Sequence, residues 1–425
     1  MTRILRQAFK NAFQPAEIAV KKALGIKKLK KGQLFDEQGF VKDGREKLTR
    51  YALFVPFYQK IKFITNVNEF SNGVSFGAHS QNGGGGGRTL YTLKTCYKIF
   101  GIQIFSKTTI YFQRNSNDTY RIHLSRGIDI GQYVIDNPKI DNEIYKLVDG
   151  LSQNDKKLIF RQISRSVKCC EYNENLFSEI SNKEFKSLKR IYVEFFPNIF
   201  RLNKDLYVYN GFFLPINHFE ESVFYYEHGL HKLETKTLDK IRQKDIIDVG
   251  GFIGDSAIIF ERKFTHKNVY TFEPTKENYQ LMKRTIELNN AKRIIPINKG
   301  LGAKSSEMKI NILGSSSSVC FDWGVVSDKE TIKITSLDEF VCKNNIEIGF
   351  IKVDIEGFEM EFLKGAKKTI CDQKPAMLIS IYHQPSDYFN IKPLIESWNL
   401  GYKFKIYKGI DFTIMNETVL LCEIF

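Results

Sequence analysis

The second half of the chain alternates short apolar runs with helically periodic segments. The runs at 246–249, 269–273, 294–298, 350–353 and 377–382 read as strands, and 255–264, 276–289 and 359–368 read as helices. Two further strands, 402–408 and 418–425, end the chain. Repeated βα units predict a doubly wound, mostly parallel sheet closed by an antiparallel C-terminal pair. The first half reads differently. Residues 1–31 form a basic, partly amphipathic helical stretch interrupted at Pro15 and Gly25, and 45–64 is apolar and aromatic, a buried or interfacial segment. Alternation over 90–125 predicts strands. Residues 139–195 turn helical, with Leu147, Leu151, Leu158, Ile159 and Ile163 at helical spacing. A hairpin is expected around Asn210-Gly211, and the five glycines at 83–87 predict a flexible loop. The division expected is an N-terminal α+β domain over 1–200 and an α/β domain over 201–425.

In such sheets, ligands bind outside the carboxyl ends of the strands. The first of these strands runs straight into D-V-G-G-F-I-G-D-S, residues 248–256. A glycine turn opening a helix places a ligand at the helix N-terminus. The glycines do not follow the G-x-G-x-x-G dinucleotide pattern, and Asp248 precedes them. A carboxylate at that strand tip suits a cofactor with a cationic amino group, such as S-adenosylmethionine. Gly250, Gly251, Phe252, Ile253, Gly254, Asp255 and Ser256 are the expected cofactor segment. Glu273, 19 residues after Gly254, closes the second strand and can accept both ribose hydroxyls of an adenosine. Asn278 on the next helix and Gly300-Leu301 after the third strand complete the cofactor contacts.

The fourth and fifth strands end in I-K-V-D-I-E-G and I-S-I-Y-H. This brings Asp354, Glu356 and His383 to the cofactor's reactive end. Two acids and a histidine suit general-base removal of a hydroxyl proton, or alternatively a divalent metal that orients a diol. Ser315–Ser318 form a polar loop suited to line an acceptor. His228 and His231 have ligand-like spacing but no third partner.

Charge changes the picture of the first half. The net charge is +15, yet residues 243–425 hold 24 Lys+Arg and 24 Asp+Glu, so the whole excess lies upstream. Residues 1–31 alone carry nine Lys/Arg against Glu17. Such a region is drawn to anions: a nucleotide-sugar's phosphates, a membrane surface touched peripherally, or a nucleic acid. The N-P-P-Y and P-C motifs of base methylation are absent, which argues against nucleic acid. No apolar run approaches the ~18 residues of a spanning helix. Seven cysteines without a C-x-x-C pair support neither a disulfide framework nor a zinc ribbon, and fit a reducing cytoplasm.

Taken in order, D-V-G-G-F-I-G-D, F-E-P (272–274), N-K-G-L-G (298–302), T-S-L-D-E-F (335–340) and I-K-V-D-I-E-G-F-E resemble the FkbM family of S-adenosylmethionine-dependent methyltransferases. The resemblance covers about residues 205–425, including F-L-P-I-N-H-F-E-E-S. It implies a class I methyltransferase fold (Rossmann-like) and methylation of a sugar or other small-molecule hydroxyl, with Asp248, Gly250, Gly254 and Glu273 on the cofactor and Asp354, Glu356 and Gly357 in the D-x-E-G block. Members of this type often serve bacterial surface polysaccharides, so the expected acceptor is a nucleotide-sugar or a capsular precursor; the alternatives are a nucleic-acid methyltransferase and a membrane-docked assembly protein that carries a methyltransferase fold. Gly251 stands where the family more often has Ala, a change expected to be neutral.

Overall fold

The computed structural model describes residues 45–52, 55–66, 90–99, 102–112, 122–172, 176–177, 180–311 and 329–425. The expectations for 1–31, for 83–87 and for Ser315–Ser318 lie outside these residues. The chain divides into two compact units, Met1–Val67 with Arg88–Gln113, and Asn68–Gly87 with Arg114–Phe425.

Within the first unit, β1 (Arg45–Ala52), β2 (Val55–Asn66), β3 (Leu90–Ile99) and β4 (Ile102–Phe112) form an antiparallel meander in that order. The aromatic segment at 45–64 is therefore the first hairpin of a sheet, as its β-branched and aromatic content favours.

The second unit opens with β5 (Ile122–His123), which pairs with β6 (Leu176–Phe177), and helices α1 (Gly127–Asp136), α2 (Ile140–Val148), α3 (Gln153–Glu171) and α4 (Asn182–Arg190). Ser152 caps α3 by accepting from Asp155 N, and α3 buries Ile159, Ile163 and Cys169 on one stripe. A meander of β7 (Phe200–Asn203), β8 (Leu206–Tyr209) and β9 (Phe212–Leu214) follows, with Asn210 and Gly211 at φ 47° and 78° in its last turn. Both values are positive, as the expected hairpin turn requires.

Helix α5 (Thr235–Arg242) leads into the main sheet, made of β10 (Asp245–Val249), β11 (Val269–Phe272), β12 (Ile294–Ile297), β16 (Ile348–Val353), β17 (Ala376–Ser380), β18 (Lys403–Lys408) and β19 (Thr418–Glu423). The order is β12-β11-β10-β16-β17-β19-β18. Strands β12 to β17 pair in parallel, and β19 runs antiparallel to both its neighbours. Connecting helices are α6 (Asp255–Lys263), α7 (Lys276–Leu288), α8 (Leu337–Asn344), α9 (Glu359–Gln373) and α10 (Pro385–Glu396). A side sheet joins β13 (Gly300–Leu301), β14 (Ser306–Asn311) and β15 (Lys329–Thr335). The order reverses between β10 and β16, which opens the crevice at their carboxyl ends.

The expected boundary at residue 200 does not divide the packing. Ile130, Leu147, Ile159 and Ile163 share one apolar core with Ile247, Val353 and Tyr388. Ile191 and Phe195 share another with Ile246 and Phe260. Amphipathic helices without an apolar partner of their own are buried against the sheet instead, so residues on both sides of position 200 fall in one compact unit.

Candidate active site

The loop after β10 is shaped by what its residues lack. Gly250 has φ 80°, and a Cβ there would lie 1.9 Å from Asp354 O. A Cβ on Gly251 would lie 2.0 Å from Thr271 Oγ1. Glycine suits this position in this chain, because Thr271 and Met282 fill the space an alanine methyl would need. Gly250 N and Gly251 N both donate to Phe272 O, at 3.1 and 2.8 Å, pinning the turn to β11. Phe252 (φ 44°) and Gly254 (φ 82°) then swing the chain into α6.

Asp248 does not face the crevice. Its side chain is fully buried; Oδ2 accepts from Thr271 Oγ1 at 2.8 Å, and Oδ1 lies 3.4 Å from Lys352 Nζ. That ammonium also donates to Gly250 O at 2.7 Å. Burial raises the Asp248 carboxyl, and Lys352 opposes the shift. The neighbouring strand's lysine supplies the counter-charge, and the pair braces the loop from beneath. Ile253 likewise points into the apolar core. Leu301 is a core residue, and Gly300 lets β13 pass Ile334 and Pro274.

Glu273 stands at the tip of β11. One carboxylate oxygen accepts from Phe252 N at 3.1 Å, the other from Thr275 N and Oγ1 at 2.9 and 2.6 Å. Asn278 Nδ2 approaches it at 3.5 Å. Burial pushes this carboxyl up to about 7 despite those donors. Asp255 opens α6 and accepts from Ser256 N at 2.8 Å; burial and the nearby Glu220 push it up to about 7. Ser256 Oγ pairs with His228 Nε2 at 2.9 Å, whereas His231 packs edge-on against Tyr407, so the two histidines diverge.

Across the switch point the three expected chemistry-bearing residues do meet. Asp354 follows β16, and Glu356 (φ 54°) and Gly357 (φ 95°) bend the chain back over it. His383 follows β17. Its Nε2 lies 3.4 Å from Asp354 Oδ1 and 3.6 Å from Glu356 Oε2, and its Nδ1 lies 2.9 Å from Glu359 Oε1. The Asp354 and Glu356 side chains keep 25% and 21% of their surface exposed; that of His383 keeps none. Burial would lower the His383 pKa, but Glu359 and Glu356 outweigh it and carry it to about 10.

Other members of the site were not expected from the sequence. Glu359, at the start of α9, orients His383. Arg126 Nη2 reaches Glu356 Oε2 at 3.3 Å from 230 positions away. His218 and Glu220 pair at 3.0 Å beside Asp255, and the His218 ring packs edge-on against Phe252. Tyr382 donates to Glu417 at 2.9 Å. Only Lys352 left a legible signal, as a lone charge inside an apolar parallel strand, which demands a partner. The crevice is thus rich in carboxylates, an environment that attracts a cationic ligand.

A doubly wound sheet with an inserted antiparallel β19, a glycine turn at its switch point and acids on the neighbouring strand tips defines a class I methyltransferase. Residues 248–404 match the methyltransferase FkbM domain. The chain carries that domain, and the domain is an S-adenosylmethionine-dependent methyltransferase. The chain is 23% identical over 174 residues to Methyltransferase 1 of Beauveria bassiana, covering 36% of this chain and 70% of the relative. It is 27% identical over 183 residues to the hexuronic acid methyltransferase AglP of Haloferax volcanii, covering 42% and 72%. Among solved structures, an FkbM methyltransferase from Methylobacillus flagellatus superposes with a TM-score of 0.44 at 20% identity. That match covers 69% of this chain and 61% of the other.

Proposed function

We propose that the protein transfers a methyl group from S-adenosylmethionine to a sugar hydroxyl of a nucleotide-sugar or a surface (capsular) polysaccharide precursor. The observation that carries this reading is the pair of carboxylates, Asp354 and Glu356, half-open at the strand tips beside the glycine turn. Hydroxyl groups dock on such oxygens as donors. In the transfer the acceptor oxygen forms a bond to the methyl carbon as the carbon–sulfur bond breaks. The hydroxyl proton passes to a carboxylate and S-adenosylhomocysteine leaves. His383 is enclosed and cannot touch the acceptor, so it acts as a positioning residue behind the two acids rather than as the base itself. Along the sheet edge, Glu273 marks the ribose end and Asp354 the methyl end of the cofactor. The similarity to a hexuronic acid methyltransferase supports a sugar acceptor. The basic excess upstream of residue 243 suits the phosphates of such an acceptor, and a nucleotide-sugar acceptor would be met on the cytoplasmic side.

The test is incubation of the full chain with S-adenosylmethionine and a panel of nucleotide-sugars, read by mass spectrometry for a methyl gain. Asp354→Ala should abolish that gain while leaving S-adenosylhomocysteine binding intact. Methylation of RNA or DNA but of no sugar would overturn the reading.

A further inference from the structure

The imidazole of His383 is built more tightly than proton transfer requires. Its side chain is wholly enclosed. Nδ1 is held at 2.9 Å by Glu359 Oε1, an oxygen that also accepts from Ile355 N at 2.9 Å. With one nitrogen fixed, Nε2 is aimed at Asp354 and Glu356, yet it makes no hydrogen bond. A buried ring nitrogen that faces two carboxylates without hydrogen-bonding to either is a place that a bridging cation fits.

The separations identify that ligand. At 3.4 and 3.6 Å, Nε2 and the two carboxylate oxygens are spaced too widely for good hydrogen bonds. Ligands about 2.1 Å from one shared ion stand roughly 3.0 to 3.4 Å from each other, depending on geometry. Nε2 thus stands at that spacing from Asp354 Oδ1 and just beyond it from Glu356 Oε2. Asp354, Glu359 and His383 also present donor atoms within 4.8 Å of one another. A carboxylate on the far nitrogen of the imidazole is the usual outer support of a metal-bound histidine.

We infer that Asp354 Oδ1, Glu356 Oε2 and His383 Nε2 are the protein ligands of an oxygen-preferring divalent cation, with Glu359 as the positioning carboxylate. One imidazole and two carboxylates leave several coordination positions for oxygens, as Mg²⁺ and Mn²⁺ demand. Resting on the proposed sugar acceptor, those positions take one or two of its hydroxyls and set the reacting one against the methyl group. Arg126 shares Glu356 Oε2 and repels the cation, so its removal should tighten the site.

The test uses the full chain, stripped with chelator and saturated with S-adenosylhomocysteine, titrated with Mn²⁺ and followed by loss of the free-ion electron-paramagnetic signal. One ion per chain should be taken up. Asp354→Asn and His383→Gln should each weaken uptake at least about tenfold, and Glu359→Gln about 10- to 100-fold. Arg126→Gln should leave uptake equal or stronger. If Glu359→Gln does not fold, Asp354→Asn decides, since its side chain is part-exposed; homocysteine-product binding confirms the fold. No uptake of Mn²⁺, Mg²⁺ or Zn²⁺ at millimolar concentration, or uptake unchanged in both ligand variants, overturns the inference. Uptake of the ion with no sugar methylated sustains the cation site and sinks the acceptor reading alone.

Discussion

Asp248 and Lys352 provide the sharpest test of how the cofactor turn is held. Both are buried, 3.4 Å apart, and the lysine also grips Gly250 O at 2.7 Å. Lys352→Met strands a carboxylate whose only other side-chain donor is Thr271, and removing one partner of a buried pair costs about 3–5 kcal/mol. It also gives up the hydrogen bond to the turn, worth about 1 kcal/mol. Asp248→Asn keeps the shape and the Thr271 bond but leaves the ammonium with one neutral acceptor, so about 3 kcal/mol is expected on the same grounds. The double variant has no charge to strand. It should be more stable than the sum of the single losses predicts, by at least about 2 kcal/mol, a coupling within the range seen for contacting buried groups. Urea unfolding of the four proteins measures the cycle, and calorimetric titration with S-adenosylhomocysteine measures the turn. Losses that add to within about 0.5 kcal/mol would refute the bracing role. So would an Asp248→Asn protein of full stability whose affinity alone collapses, because that outcome returns Asp248 to the cofactor's surface.

Three further outcomes follow from the geometry. Asp354→Ala should lower kcat/KM for methyl transfer by about 10²- to 10⁴-fold, the usual contribution of a positioned proton acceptor, with product binding unchanged in the same titration. Gly250→Ala should abolish cofactor binding, since its Cβ would meet backbone at 1.9 Å, whereas Gly401→Ala, with φ 83° but nothing within 4 Å, should cost only about 1 kcal/mol in thermal unfolding. Glu184 is buried; burial would raise its carboxyl, but Arg165 at 2.6 Å and the Ser181 capping box hold it down at about 2, from an ordinary 4.5. A depressed carboxyl stabilises the fold above its ordinary value, so about 2 kcal/mol, after allowance for exposure, should be lost as pH falls from 5 towards 2, and Glu184→Gln should flatten that slope in acid unfolding.

What was legible in the sequence is what local pattern determines. Strands β10, β16 and β17 are buried on both faces and so read as unbroken apolar runs. Their ends could therefore be located, and with them Asp354, Glu356 and His383. The β14–β15 hairpin went unread because it buries only a small satellite cluster, Ile310, Ile332 and Ile334, and otherwise resembles loop. Helix α10 was hidden by Pro385 and Pro393; the first sits harmlessly in the opening turn, and the second is tolerated inside a helix packed in the core. The partner of Asp248 was not legible, because strand-tip position does not reveal which way a carboxylate is neutralised. That depends on Lys352, 104 residues on, and only the paired register of β10 with β16 brings them together.

The two ends of the crevice also differ in where their residues come from. The cofactor turn, its brace and Glu273 all lie within 248–404, the matched domain. The residues that overhang it do not. His218 and Glu220 precede the sheet, and Arg126 comes from the helical segment before that. The placement of Arg126 is built, not incidental. His123 donates to Phe412 O at 2.7 Å and accepts from Ile414 N at 3.0 Å, clamping the chain to the loop between β18 and β19. Ser125 then takes a left-handed φ of 46°, and Gly127 fits between Leu124 and Met415. A non-glycine residue held in that conformation costs free energy that the surrounding packing must offset, and the result of holding it is a guanidinium against Glu356. The shared core over Ile122–Cys169 is therefore the platform that delivers a guanidinium to Glu356.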